Sequence, residues 1–462
     1  MSDFTPSLVT LARWSSGLHL ADVPPAVQDA AKRCLIDTLG VALGGSRSTV
    51  AAQARAVIAV TAGAGDATVL GQSHTVAAPA AAFANATAAH ALDFDDNSYP
   101  GFVHGSAVIL PAALAVAQMR DLSGAQLLAA FVAGAECEYA LAKALTRQIY
   151  DRGWWTTGVL GVVGASAAAS HALGLNAEQT AAALALAVTG TGGMKAGFGS
   201  DAKMLLAGRS SEAGVIAALL AGTGSSGPLD VIEHERGLAA MFNGGLLDPL
   251  PDLGNSWRLT DPGVDIKRVP VCLSSHAAID ALRALLDEGE LRVEDIDAIL
   301  CDVPPIVRQN LVHDAPVTRQ QAQFSMPFAL ACTALFGDIT LASLDAAVLA
   351  RADLQQLMKR VHMQSSPRWD PALLDAAPEG AWVKLVGRDG RCVEGFCAMP
   401  VGSASRPLSG PQLHRKFMHC ATAVWTVPRA QRLFDDLTRL DQLADVRGLL
   451  NDGAFTVETT ES

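Results

Sequence analysis

The densest run of chemistry-bearing residues in the first half of the chain is His90-Ala91-Leu92-Asp93-Phe94-Asp95-Asp96-Asn97, with His104 close behind. Carboxylates and imidazoles set between apolar helices are costly to desolvate unless they pair or meet water in a cleft. Such a cleft tunes a histidine or aspartate for proton transfer near neutral pH. The same run also fits an Asp-rich helix end and turn with His90 merely packed. Lys203 stands at the head of a strongly apolar segment, where an ammonium can bind a carboxylate, with Arg209 as a second, forked donor. A solvated lysine at a helix end has the same pattern. Lys267-Arg268 followed by His276 puts two cations and an imidazole near a helix start, where free backbone N–H groups add to the attraction for an anion. The alternative there is a surface basic pair with a buried histidine.

The surrounding elements are legible from periodicity and caps. From Asp22 to about Gly224 the signal is helical and Ala-rich. Val23-Pro24-Pro25 opens a helix that Gly44-Gly45 closes. Ser123-Gly124-Ala125-Gln126 fits a capping box before Leu127–Ala144, and Asn176-Ala177-Glu178-Gln179 resembles one before Thr180–Val188. Near Asp261–Pro270 the character changes. Ser275 is expected to cap a helix from His276, Ala298–Val303 reads as a strand, and Ala381–Val386 with Cys392–Cys397 flank a hairpin turn at Gly387–Arg391. Pro407-Leu408-Ser409 begins a helical tail to Leu450 that rejoins the first part, with residues from Asn451 onward frayed.

Composition narrows the function. The chain has 462 residues, with 34 Lys+Arg against 46 Asp+Glu and a formal net charge of -12. An acidic chain lacks the basic face that a nucleic-acid binder needs. The 50% hydrophobic and 17% charged content excludes bulk disorder. No uninterrupted apolar run reaches the ~18 residues of a spanning helix, and Met1-Ser2-Asp3-Phe4 lacks a leader's basic start, so a cytoplasmic protein without a membrane partner is expected. The eight cysteines form no CxxC and read as reduced, buried thiols. No P-loop, HExxH or G-x-S-x-G motif occurs, and Gly190-Thr191-Gly192-Gly193 lacks the context of a dinucleotide fingerprint. Asp93–Asp96 offers oxygen ligands for Mg²⁺ in principle, but no metal and no cofactor are expected.

Taken together, these segments resemble the MmgE/PrpD family, which includes 2-methylcitrate dehydratases, cis-aconitate decarboxylase and iminodisuccinate epimerase. The resemblance rests on His90–Asp96, His104-Gly105-Ser106 with Leu110-Pro111-Ala112-Ala113, Lys203 with Gly208, Pro270-x-Cys272 with His276, and Phe324-Ser325-Met326-Pro327-Phe328. It implies a mostly α protein: a large all-helical domain (1–262 together with 403–462) and a smaller inserted α+β lid (263–402), with the site between them. It further implies a homodimer and cofactor-free chemistry on a small carboxylate. By motif, Asp93, Asn97 (often Thr in relatives), His104, Lys203 and His276 fall at active-site positions. His104 is the expected base, oriented by Asp93. Lys203 and His276 would hold carboxylates or protonate a leaving group, with Lys267 and Arg268 as outer anion binders.

The chain departs from the family pattern at one point. Relatives often read Gly-x-His-Pro-Thr where this chain has Gly153-Trp154-Trp155-Thr156-Thr157, and Leu206 stands where a His is common. If Trp155 lines the substrate site, a citrate-like acid loses a polar partner and meets bulk. The expected ligand is then smaller or carries an apolar substituent. Otherwise Trp155 turns outward into a dimer or lid contact. The expected reaction is a lyase's, dehydration or decarboxylation. The alternatives are an isomerase or epimerase using the same base, and a non-catalytic homologue with a binding role.

Overall fold

A computed structural model describes residues 5–99, 101–145 and 148–450. The N-terminal tetrapeptide and the stretch from Asn451, read above as leaderless and as frayed, lie outside them. The protein is mostly α, 58% helical with 8% strand. The chain divides into two compact units, Met1–Ile266 with Ser409–Ser462, and Lys267–Leu408.

The first unit is built from α1 (Pro25–Gly45), α2 (Ala78–His90), α3 (Gly105–Met119), α4 (Gly124–Ala144), α5 (Thr156–Leu173), α6 (Ala177–Thr189) and α7 (Asp201–Gly222). Both expected capping boxes form, Ser123 with Gln126 and Asn176 with Gln179. Alanine and glycine let these helices approach closely. A Cβ on Gly134 of α4 would stand 2.6 Å from the Gly164 carbonyl oxygen of α5, and one on Gly208 of α7 would stand 2.2 Å from Thr87 Oγ1 of α2. Real Cβ atoms do not approach so closely, so only glycine permits this spacing. The unit is not wholly helical, since β1 (Ala67–Thr68) and β2 (Thr75–Val76) form a short antiparallel ladder. Runs of two residues are too brief to leave a periodicity in the sequence.

Two helices, Thr156–Leu173 and Asp201–Gly222, are long and apolar enough by composition to cross a membrane. Neither is an uninterrupted apolar run: Ser and Thr interrupt the first, and Arg209 and Glu212 interrupt the second. The apolar window of Thr156–Leu173 is 89% buried within the protein, as befits a core helix.

In the second unit, α8 (His276–Glu288) and α9 (Met326–Phe336) pack on a four-stranded sheet ordered β4-β3-β5-β6. Here β3 is Ile296–Asp302, β4 Val361–Gln364, β5 Ala381–Gly387 and β6 Cys392–Cys397. The β5–β6 hairpin has the expected register, with Val386 opposite Cys392. The strand β4, parallel to β3, left no readable signal in four residues. Ser275 does not cap α8 with its side chain. Its Oγ donates back to the Cys272 carbonyl at 2.8 Å instead. The tail returns to the first unit as α10 (Gly410–Ala421), opened by a Ser409–Gln412 capping box, and α11 (Val427–Thr438).

Candidate active site

The segment after α2 carries the expected patch. The chain leaves α2 at His90 and enters α3 after His104, so both imidazoles sit at helix ends while the acids lie between them. Asp93 has a φ of 47°, a left-handed conformation that is uncommon for a residue with a side chain. Its carboxylate Oδ1 accepts from Lys203 Nζ at 2.7 Å, and both side chains are almost wholly buried. Lys203 lies one turn into α7, with its Nζ 5.2 Å from the Phe198 ring centre and 5.6 Å from that of Trp155. The carboxylate and the two ring faces thus enclose the Lys203 ammonium group.

Beside this pair lies a second cluster. His90 Nδ1 donates to Asp95 Oδ2 at 2.8 Å, and His104 Nδ1 lies 3.4 Å from the same oxygen. His104 Nδ1 is also 2.8 Å from the Asp96 carbonyl oxygen. A carbonyl only accepts, so Nδ1 carries the proton and Nε2 keeps its lone pair. The His104 backbone N–H donates to Thr157 Oγ1 at 2.9 Å, which ties α3 to the start of α5. The His104 side chain keeps 13% exposure, while those of His90 and Asp95 have none. Burial lowers the basicity of His90, with the Asp95 charge opposing, and so favours its neutral form.

Behind the loop, burial pushes the Asp96 carboxyl up to about 7, with the charges of Asp37 and Asp95 adding to the rise. Glu138 is pushed to about 8, again chiefly by burial. Desolvation also raises the Tyr139 phenol and the Cys34 thiol well above their ordinary values. Burial therefore favours the neutral forms of Asp96, Glu138, Tyr139 and Cys34.

The expected residues are distributed as follows. Asp93, His104, Lys203 and Trp155 come together in the first unit. Asn97 is buried and pairs through its backbone with Asp265 in a short antiparallel bridge. Trp155, 1% exposed, does not turn outward: its ring lies 5.3 Å from that of His90 and edge-on to Phe198. Leu206, the other departure, packs at Gly158 and Gly193. Three expectations need correction. The acid beside His104 is Asp95, not Asp93, because the left-handed turn at Asp93 commits its carboxylate to Lys203. Arg209 is no part of this cluster. Its side chain is 73% exposed and faces Glu212 one turn on. Arg268, expected as an outer anion binder, already spends its fork on Asp280 at 3.0 Å and Asp338 at 2.6 Å.

In the second unit Lys267 is buried, and His276 Nε2 donates to the Val271 carbonyl at 3.2 Å. Sequence reasoning did not single out Phe198 or Thr157. Nothing in a lone Phe or Thr signals a site, and only the packing of α5 and α7 brings them there.

Ligand-type atoms of His90, Asp95 and His104 lie within 4.8 Å of one another, a set that could hold a metal ion. His90 Nδ1 donates to Asp95 Oδ2, whereas the Nδ1 proton of His104 goes to the Asp96 carbonyl. These acceptors on the protein set the tautomers of both rings.

The first unit thus buries a His–Asp–His cluster beside a lysine–carboxylate pair. The chain belongs to the MmgE/PrpD family: the family's N-terminal domain matches residues 9–248 and its C-terminal domain residues 269–440. It is 28% identical over 442 residues to a cis-aconitate decarboxylase of Homo sapiens, covering 93% of this chain and 90% of the relative. A cis-aconitate decarboxylase-like protein of Aspergillus oryzae is 27% identical over 481 residues, with 97% and 98% covered. A cis-aconitate decarboxylase of Mus musculus is 26% identical over 447 residues, with 93% and 89% covered.

Proposed function

We propose that this enzyme is a cofactor-independent lyase of small carboxylic acids, working by proton transfer at a carbon next to a carboxylate with loss of water or carbon dioxide. The observation that carries the reading is the His104 Nδ1 to Asp96 carbonyl hydrogen bond, which leaves Nε2 basic. A carbon acid needs such a base together with a group that stabilises developing enolate charge. Lys203, buried and held by Asp93, is the cation suited to that second task.

In dehydration, His104 Nε2 takes the proton next to the carboxylate, and a protonated group passes its proton to the departing hydroxide. In decarboxylation, a carboxylate leaves as carbon dioxide, and His104, having first taken a proton from water at Nε2, passes it to the carbanion. The similarity to cis-aconitate decarboxylases supports the lyase class. The Trp155 ring against His90 favours a substrate smaller than a tricarboxylate, or one with an apolar substituent. Lys267 and His276 remain proposed carboxylate binders, tested by single substitutions that raise KM. The same reading takes the enzyme as a cytoplasmic homodimer.

The test is a mass-spectrometric screen of carboxylic acids in deuterated water. Loss of water or carbon dioxide with deuterium incorporation supports the lyase. Exchange without net loss means an isomerase or epimerase using the same base, and no exchange on any acid overturns the proposal.

A further inference from the structure

The loop that carries the acids is held from behind by a residue far along the chain. Lys416, on α10, donates from Nζ to the Phe94 carbonyl at 2.8 Å, and the same ammonium pairs with Asp37 of α1 and lies 4.1 Å over the Phe94 ring. All three groups are buried. The Phe94 peptide sits between the two working aspartates: Asp93 on one side holds Lys203, and Asp95 on the other meets both imidazoles. The far end of the loop is fixed separately, by the Asn97–Asp265 backbone pair. The near end is a strained turn, Asp93 at φ 47°, which relaxes unless its surroundings hold it.

We infer that Lys416 is a positioning residue of the active site: its bond to the Phe94 carbonyl holds the turn that aims Asp93 at Lys203 and sets the Asp96 carbonyl that fixes the His104 tautomer. The inference rests on the proposed proton-transfer role of His104 and goes beyond it. Lys416 reaches no substrate. It acts through one peptide group, and Asp37 acts through Lys416 by neutralising it in a site where a lone ammonium is costly to bury.

The distinguishing experiment reads the imidazole as well as turnover. Lys416→Met leaves Asp37 buried without its cation and risks misfolding, so the informative variant is Lys416→Met combined with Asp37→Asn. That change removes both charges together. With ¹⁵N-labelled histidine, the wild-type His104 Nδ1 is expected to resonate as protonated, assigned by its loss in His104→Gln. The double variant is expected to show a mixture of tautomers. A displacement of this kind lowers kcat by about 10–100-fold while KM changes by about two-fold or less. Lys416→Arg, which keeps a donor and a charge, is expected to restore the wild-type tautomer and most of kcat. If the double variant keeps the wild-type His104 signal and kcat and loses only thermal stability, Lys416 is a structural clamp and the inference fails. The NMR readout needs no substrate. If wild-type protein turns over none of the acids screened, the lyase reading falls while the tautomer measurement still decides the role of Lys416.

Discussion

Lys203 and Asp93 form a buried ion pair, Nζ to Oδ1 at 2.7 Å, across 110 residues of sequence. Each carries the group that would make the other untenable alone. An unpaired charge at that depth costs several kcal/mol, whereas paired they leave a charged ammonium beside a basic imidazole. Asp93→Asn is therefore expected to weaken Lys203 as an anion partner. kcat/KM should fall about 100-fold, and the variant should lose about 3–5 kcal/mol of stability in denaturant titrations. An Asn variant with wild-type kinetics would remove the pair from the mechanism.

The second prediction concerns His104. His104→Gln keeps a polar side chain at the end of the loop but has no lone pair of imidazole basicity. Turnover on the confirmed substrate is expected to fall by about 10²–10⁴-fold, with deuterium exchange lost in parallel. Retained exchange in that variant would show another group to be the base.

Trp155 gives a prediction about substrate. Its ring fills space against His90, so cis-aconitate and 2-methylcitrate are expected to be poor substrates of the wild type. Trp155→His should improve turnover of at least one of them. Steady-state kinetics on both acids decide, and efficient wild-type turnover of either defeats the expectation.

The buried acids predict a pH dependence of stability. Asp96 and Glu138 rise from ordinary values of 3.8 and 4.5 to about 7 and about 8. The folded state thus keeps protons that the unfolded chain has released. That contribution is complete below the unfolded values and is lost as pH rises through the folded ones. Tm is expected to fall between about pH 4 and 8, and Glu138→Gln should flatten the decline. His90, lowered by burial, works in the opposite sense, its contribution present above its ordinary 6.5 and lost as pH falls below it. A Tm that rises with pH across that range would contradict the raised values of Asp96 and Glu138.

Gly208→Ala tests the link from helix packing to the site. The added Cβ would stand 2.2 Å from Thr87 Oγ1 and 2.6 Å from the Phe83 carbonyl oxygen, so α7 must move off α2. Destabilisation of about 1–3 kcal/mol is expected from overpacking. Because Lys203 lies on the same helix, kcat is expected to fall with it. Chemical denaturation and kinetics on one preparation measure both.

Much of this protein was readable along the chain. Caps and periodicity announced α4, α6 and the β5–β6 hairpin, because a helix end or a tight turn is set by residues within four positions of one another. The types of Asp93, His104 and Lys203 marked a candidate site for the same local reason: few other residue types can do acid–base chemistry. What the sequence could not assign was partnership. The patch offers three carboxylates to two imidazoles and a distant lysine, and any pairing among them is equally compatible with the order of residues. The left-handed turn at Asp93 gave that carboxylate to Lys203 and left Asp95 to the histidines. Arg209 went to solvent because its place on α7 faces away, and Arg268 went to Asp280 and Asp338 once the second unit folded around it. Lys416 met Phe94 only when α10 packed on α1. Charge pairing and hydrogen bonding act over a few ångströms of space, so residues far apart along the chain acquire their partners only through tertiary folding.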